Sequence, residues 1–326
     1  MTPSINKEFK WKHDDPGQLP FVFSDCDDSQ ETVVQHAITD ALDLATDAGQ
    51  ALFYDPMRDH WLRMFDKVFT DKTVSPRRYL SRDYASTKYK RVGNGNSLPD
   101  EIIFHCSEAW GRYLSQINTY PGLAGTKAQC DQDTSAITIR IRSGDIPPAN
   151  DPDNDPGTGA FRSGTHIYLC HRFFTRPAMS ALDPILTDGH IRRWLDSQGA
   201  IMLHELMHAS DSRIRDGGYG YSGCLAVARG QGPHDASILP EFNADTWALF
   251  AISVSDWPRP NQRGGRMRDW EWTDGYAVRR SLDSGYFKRD LLGLDTPCSS
   301  CNATIGADGP SRRGRLDVLA APEGSP

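Results

Sequence analysis

His204-Glu205-Leu206-Met207-His208 matches His-Glu-x-x-His. A separation of four residues puts two imidazoles on one face of a helix, one turn apart, where both can reach one metal ion. Neutral imidazole suits zinc. Glu205, directly after the first histidine, can lie beside the metal's open position and take a proton from water, which ionises near neutral pH on zinc. Leu203, Leu206 and Met207 supply the opposite, apolar side, so the motif reads as part of an amphipathic helix.

Outward from the motif, Ile191, Trp194, Leu195, Ile201, Met202 and Leu206 recur at helical spacing and predict one helical block over residues 187–209. A further helix is expected over 241–253. Upstream, amphipathic patterns predict helices over 29–48 (Val33, Val34, Ala37, Ile38, Ala41, Leu42, Leu44) and 57–69 (Trp61, Leu62, Met64, Phe65, Val68). Between these blocks lie short β-rich runs at 101–106, 136–142 and 166–170, which predict a small sheet. The stretch 144–165 is crowded with Pro, Gly, Asp and Asn and reads as a long surface loop. Its Asp151-x-Asp153-x-Asp155 run imitates a calcium loop, but the twelfth position is Arg162, where a bidentate Glu is required.

With 326 residues, 38% hydrophobic and 24% charged, the chain can bury a sizeable core. A formal charge of −7 without a local basic patch argues against a nucleic-acid partner. No run approaches the roughly 18 apolar residues of a membrane helix. Seven cysteines, with only Cys298-x-x-Cys301 closely paired, favour disulfides over a four-thiolate zinc knuckle and leave an odd thiol. The opening Met1-Thr2-Pro3-Ser4-Ile5-Asn6-Lys7 carries no apolar signal core, so the expectation of export rests on the cysteines. Asn302-Ala303-Thr304 is a glycosylation sequon that matters only in an exported chain.

Two histidines need a third ligand. Position 214, where a metzincin has its third histidine, is Ile214. Glu241, four residues before Asp245, imitates the helical glutamate of a gluzincin. His234 and Asp216 are the remaining candidates.

Asp216-Gly217-Gly218-Tyr219-Gly220, taken with His204-Glu205-x-x-His208 and with Asn243-Ala244-Asp245 ahead of Trp247 and Phe250, resembles the aspzincins, the fungal deuterolysin and peptidyl-Lys metalloendopeptidase family. The resemblance covers about residues 165–256. It implies a zinc held by His204, His208 and Asp216, one per chain, with Glu205 as catalytic base and Tyr219 as donor to the oxyanion. Asn243 and Asp245 then belong to a helix beside the site, Asp245 lining a substrate pocket or bonding a ligand histidine. The family's Gly-Thr-x-Asp is replaced by Arg213-Ile214-Arg215-Asp216. Family patterning also suggests the pairs Cys26 with Cys106 and Cys130 with Cys170, leaving Cys224 for Cys298 or Cys301.

The expected fold is α+β and mainly helical, a zincin-like metalloprotease domain with a small β-sheet beside the active-site helix. Residues 1–20 are read as an N-terminal extension, 21–300 as the domain and 301–326 as a flexible tail. The expected activity is that of a secreted, monomeric zinc metalloendopeptidase acting on protein or peptide substrates, with no nucleic-acid or membrane partner. The competing expectation is a non-catalytic zinc-binding secreted protein of the same fold, for metal capture or host contact.

Overall fold

A computed structural model describes residues 8–10, 20–53, 59–69, 80–95, 98–99, 101–107, 130–142, 163–182, 191–255, 270–273 and 276–279. All of them fall within the compact unit Met1–Arg280. The acidic run at 151–155, Cys298 and Cys301, the sequon at Asn302 and the tail at 301–326 lie outside the described residues.

In chain order the elements are β1 (Glu8–Lys10), β2 (Pro20–Ser24), α1 (Asp28–Phe53), α2 (Asp59–Phe69), α3 (Arg82–Gly93), β3 (Ile102–His105), β4 (Ala136–Ile141), β5 (Gly164–Leu169), α4 (His171–Thr175), α5 (Arg192–Leu195), α6 (Gln198–Ser210), α7 (Gly220–Ala228), α8 (Ala244–Val254), β6 (Trp270–Thr273) and β7 (Tyr276–Arg279). The class is α+β and mostly helical. Five strands make one sheet in the order β1-β2-β3-β5-β4, and β6 and β7 pair as a separate antiparallel ribbon. β2, β3 and β5 run parallel, and β4 closes one side antiparallel to β5, with Thr138 opposite Ile167 and Arg140 opposite Thr165.

Alternation along the strands sends Phe21, Phe23, Ile102, Phe104, Ile167 and Leu169 into the core shared with the helices. α1 begins with a reciprocal capping box, in which Gln30 N donates to Asp27 Oδ1 and Asp27 N to Gln30 Oε1. Its Val34, Ile38, Ala41, Leu44, Ala45 and Ala48 are fully buried, and each large one contributes about 1.5–3 kcal/mol. α1 and α3 cross closely because a Cβ on Gly49 would stand 2.8 Å from Lys90 Cγ. Phe69, Tyr89, Trp247 and Phe250 form an edge-packed aromatic cluster tying α2, α3 and α8 together. Within it, the Tyr89 hydroxyl donates to the Trp247 carbonyl at 2.5 Å.

Three differences from the sequence reading have local causes. The block expected over 187–209 is interrupted: α5 ends at Leu195, and Ser197, in extended conformation, caps a new helix by accepting from Ala200 N. Residues 183–190 lie outside the described residues. The helix expected from 241 begins at Ala244, because Pro240–Phe242 is a 3-10 turn and Asn243 is extended. α3 had no forecast, since its buried positions are Ala85, Ser86, Tyr89, Val92 and Gly93, too small and polar to give an apolar period.

The disulfides Cys26–Cys106 and Cys130–Cys170 are formed, spanning 80 and 40 residues; closing such loops stabilises a fold by about 2–4 kcal/mol each. Cys224 is instead a free thiol, buried in α7 against Asn243 Nδ2 at 3.7 Å, so the pairing expected for it is not made. No described helix is long and apolar enough to cross a membrane.

Candidate metal centre

α6 carries His204 and His208 on one face, and its apolar Leu203, Leu206 and Met207 are fully buried on the other. Below the helix the chain turns at Asp211, whose carboxylate takes a two-point bond from Arg213 (3.1 and 2.8 Å) and lies 3.6 Å from Lys88 of α3. This turn brings Ile214 back under the helix, where its carbonyl lies 3.0 Å from His208 Nδ1. Arg215 then bridges to Asn243 as a short parallel pair: Arg215 N donates to Phe242 O and Ala244 N to Arg215 O. That pairing delivers Asp216 to the two histidines.

The donor atoms form a nearly equilateral triangle. His204 Nε2 and His208 Nε2 are 3.2 Å apart, and each is 3.1 Å from Asp216 Oδ1. A tetrahedral ion with bonds of about 2.0–2.1 Å holds its ligands about 3.3 Å apart, so these atoms can hold one small metal ion. The other ring nitrogens support this. Nδ1 of His204 faces the Asp245 carboxylate at 2.7 Å, and Nδ1 of His208 faces a backbone carbonyl. Both partners only accept, so each Nδ1 carries the proton and each Nε2 presents its lone pair inward. With each Nδ1 committed to its partner, both Nε2 atoms and Asp216 Oδ1 are left, within 3.2 Å of one another, to share one positive charge, a proton or a metal ion. Among the described residues this is the one such group of three His, Cys, Asp or Glu side chains.

The local field has the matching sign. Burial disfavours a charged His204, but Asp216 and then Asp245 outweigh it and hold the imidazole well above its ordinary pKa. Burial would raise Asp216, yet His204 and His208 hold its carboxyl well below the usual range. Asp216 is the most open of the three, with 35% of its side chain exposed.

Asn243 and Asp245, at the start of α8, hold the loop in place. Asn243 Oδ1 accepts from Gly217 N (2.8 Å) and Gly218 N (3.1 Å), while its Nδ2 donates to Gly218 O and Thr246 Oγ1. Gly218 must be glycine: a Cβ there would stand 2.7 Å from the Gly223 carbonyl. Asp245 Oδ2 accepts from Gly220 N, so this carboxylate joins His204 to the turn after Tyr219.

Glu205 is buried, and its Oε2 accepts from the Thr138 hydroxyl at 2.6 Å. Tyr219 exposes 52% of its surface but lays its ring over His204, centroids 6.0 Å apart. Burial of the phenol end, then the Asp216 carboxylate that accepts from it, push the Tyr219 pKa up, so the hydroxyl stays a neutral donor. Glu241 stands outside the donor group; its backbone carbonyl accepts from Trp247 Nε1. His234 packs edge-on against Tyr219 at 5.0 Å and is likewise outside it. Tyr221 is buried in the core.

Sequence reasoning missed Thr138 and Arg140, which reach α6 from β4. A trace was present: in Ile137-Thr138-Ile139-Arg140-Ile141 the polar residues alternate with isoleucine, which marks one strand face turned toward polar partners. A scan against models of known protein families matches none, and no curated protein is significantly similar to the chain.

Proposed function

We propose that this chain is a secreted zinc-dependent endopeptidase. The observation that carries the reading is the convergence of His204, His208 and Asp216, in lone-pair geometry, directly beside the buried Glu205. Two imidazoles and one carboxylate at tetrahedral spacing suit zinc and leave a fourth direction for water. Bound zinc supplies Lewis acidity, which lowers the pKa of water from about 16 to about 7 and polarises a carbonyl.

Glu205 takes the proton from the attacking water as the new C–O bond forms, and hands it to the amine nitrogen as the C–N bond breaks. The Tyr219 hydroxyl donates to the carbonyl oxygen as charge develops there. Asp245 and the Ile214 carbonyl keep the histidines in the ligand tautomer. Among the described residues β4 ends the sheet order beside Glu205, so an extended peptide can lie along its backbone and present a carbonyl to the site. The motif-level resemblance to the aspzincins supports the same assignment, and the two disulfides support export to an oxidising compartment.

The test measures zinc content and casein cleavage for wild type and Glu205→Gln, each with and without chelator. The expected result is one zinc per chain, with cleavage abolished by chelation and by the mutation while the mutant keeps its zinc. Zinc without cleavage in the wild type would replace the peptidase with a metal-binding protein, and no bound metal would end the proposal.

A further inference from the structure

A glutamate that must accept and release a proton at one place needs its carboxylate held there, because three side-chain torsions otherwise let it wander. Among the described residues the hydrogen bond to the Glu205 carboxylate comes from β4: Thr138 Oγ1 stands 2.6 Å from Oε2. The same hydroxyl is 3.3 Å from the Glu205 carbonyl, so it sits over both ends of this residue. Two positions along the same strand face, Arg140 reaches the last turn of α6, its Nη2 donating to the carbonyls of His208 and Ala209. The strand therefore grips the helix at two points, about one helical turn apart. That double grip fixes the register between β4 and α6 and leaves Thr138 no freedom to slide away from Glu205.

We infer that Thr138 is the positioning residue of Glu205: its hydroxyl holds Oε2 and thereby aims Oε1 toward the site. A hydrogen bond to one oxygen of a carboxylate leaves the lone pairs of the other available, so the anchor does not consume the atom that takes the proton. β4, the last strand of the sheet among the described residues, thus also aligns the base of the site. The kinetic consequence rests on the peptidase reading above; the placement of the side chain does not.

Thr138→Val removes the hydroxyl and keeps the branched shape, while Thr138→Ser keeps the hydroxyl. Two measurements are made on the full chain. In a high-resolution structure of metal-free Thr138→Val, the Glu205 carboxylate is expected to leave its wild-type rotamer or to divide among several, while Thr138→Ser retains it. In peptide hydrolysis by the zinc-loaded proteins, Thr138→Val is expected to lower kcat about tenfold to a hundredfold, with KM within about twofold and zinc content unchanged. Thr138→Ser restores kcat to within about threefold of wild type. A Glu205 that keeps its place in Thr138→Val overturns the inference whatever happens to the rate, as does an unchanged kcat with the carboxylate displaced. A wild type that cleaves nothing, with Glu205 displaced only in the valine variant, leaves the positioning intact and removes the peptidase reading instead.

Discussion

Nδ1 of His204 donates to Oδ1 of Asp245 at 2.7 Å, across 41 residues of chain. The same carboxylate accepts from Gly220 N through its other oxygen. One side chain thus sets the tautomer of a histidine in the candidate metal site and pins the turn that presents Tyr219. Removing such a partner weakens metal binding by about tenfold to a hundredfold. Asp245→Ala is expected to weaken zinc binding by that factor in competition with a chromophoric chelator, and a variant that binds zinc as tightly as wild type would contradict the assignment.

In the proposed zinc site the triangle of donors makes Asp216 the third ligand. Asp216→Asn should lose most of its bound zinc at micromolar free metal, because a neutral amide oxygen replaces the carboxylate between two imidazoles. Glu241→Gln and His234→Ala should keep one zinc per chain, since neither residue belongs to the donor group. Metal analysis after dialysis separates these cases, and loss of zinc in Glu241→Gln would restore the gluzincin arrangement.

Tyr219→Phe deletes the phenol and leaves the ring on His204 in place. Loss of one oxyanion donor costs about a hundredfold or more in kcat, so the variant should cleave peptide slowly with its zinc retained. In the metal-free protein burial and the Asp216 carboxylate raise the phenol pKa, which favours the neutral hydroxyl.

Asp211 anchors the turn that leads to Asp216, and hydrogen bonding from Arg213, against the opposing effect of burial, depresses its pKa well below the ordinary carboxylate value. A depressed carboxylate stabilises the fold fully above its unfolded pKa of about 3.9. That stabilisation is lost as the pH falls from there through the folded value. Asp211→Asn should therefore melt below wild type at neutral pH, and the gap in Tm should close as the pH drops below about 3.9. A gap of constant size down to strong acid would show that the charge of Asp211 is not what holds the turn.

The helix pattern of α1, α2 and α6, the β-rich runs that became β3, β4 and β5, and the pair His204 and His208 with Glu205 between them are all legible in the residue order. These are local: a period of 3.6 or 2 and a four-residue spacing are properties of one element, and no distant residue is needed to read them. The sequence also brought Asp216, Tyr219, Asn243 and Asp245 into view, but through resemblance, with the bond from Asp245 to a histidine of the motif left as one of two alternatives. That Asp216 and not Glu241 meets the histidines is set by long-range packing, because it depends on the Arg215–Asn243 bridge and on the Asp211 turn beneath α6. Packing likewise keeps Cys224 a thiol and lays Thr138 under Glu205 from 67 residues away in the chain. Each of these follows from which surfaces pack together, and packing between distant elements leaves no period in the sequence to be read.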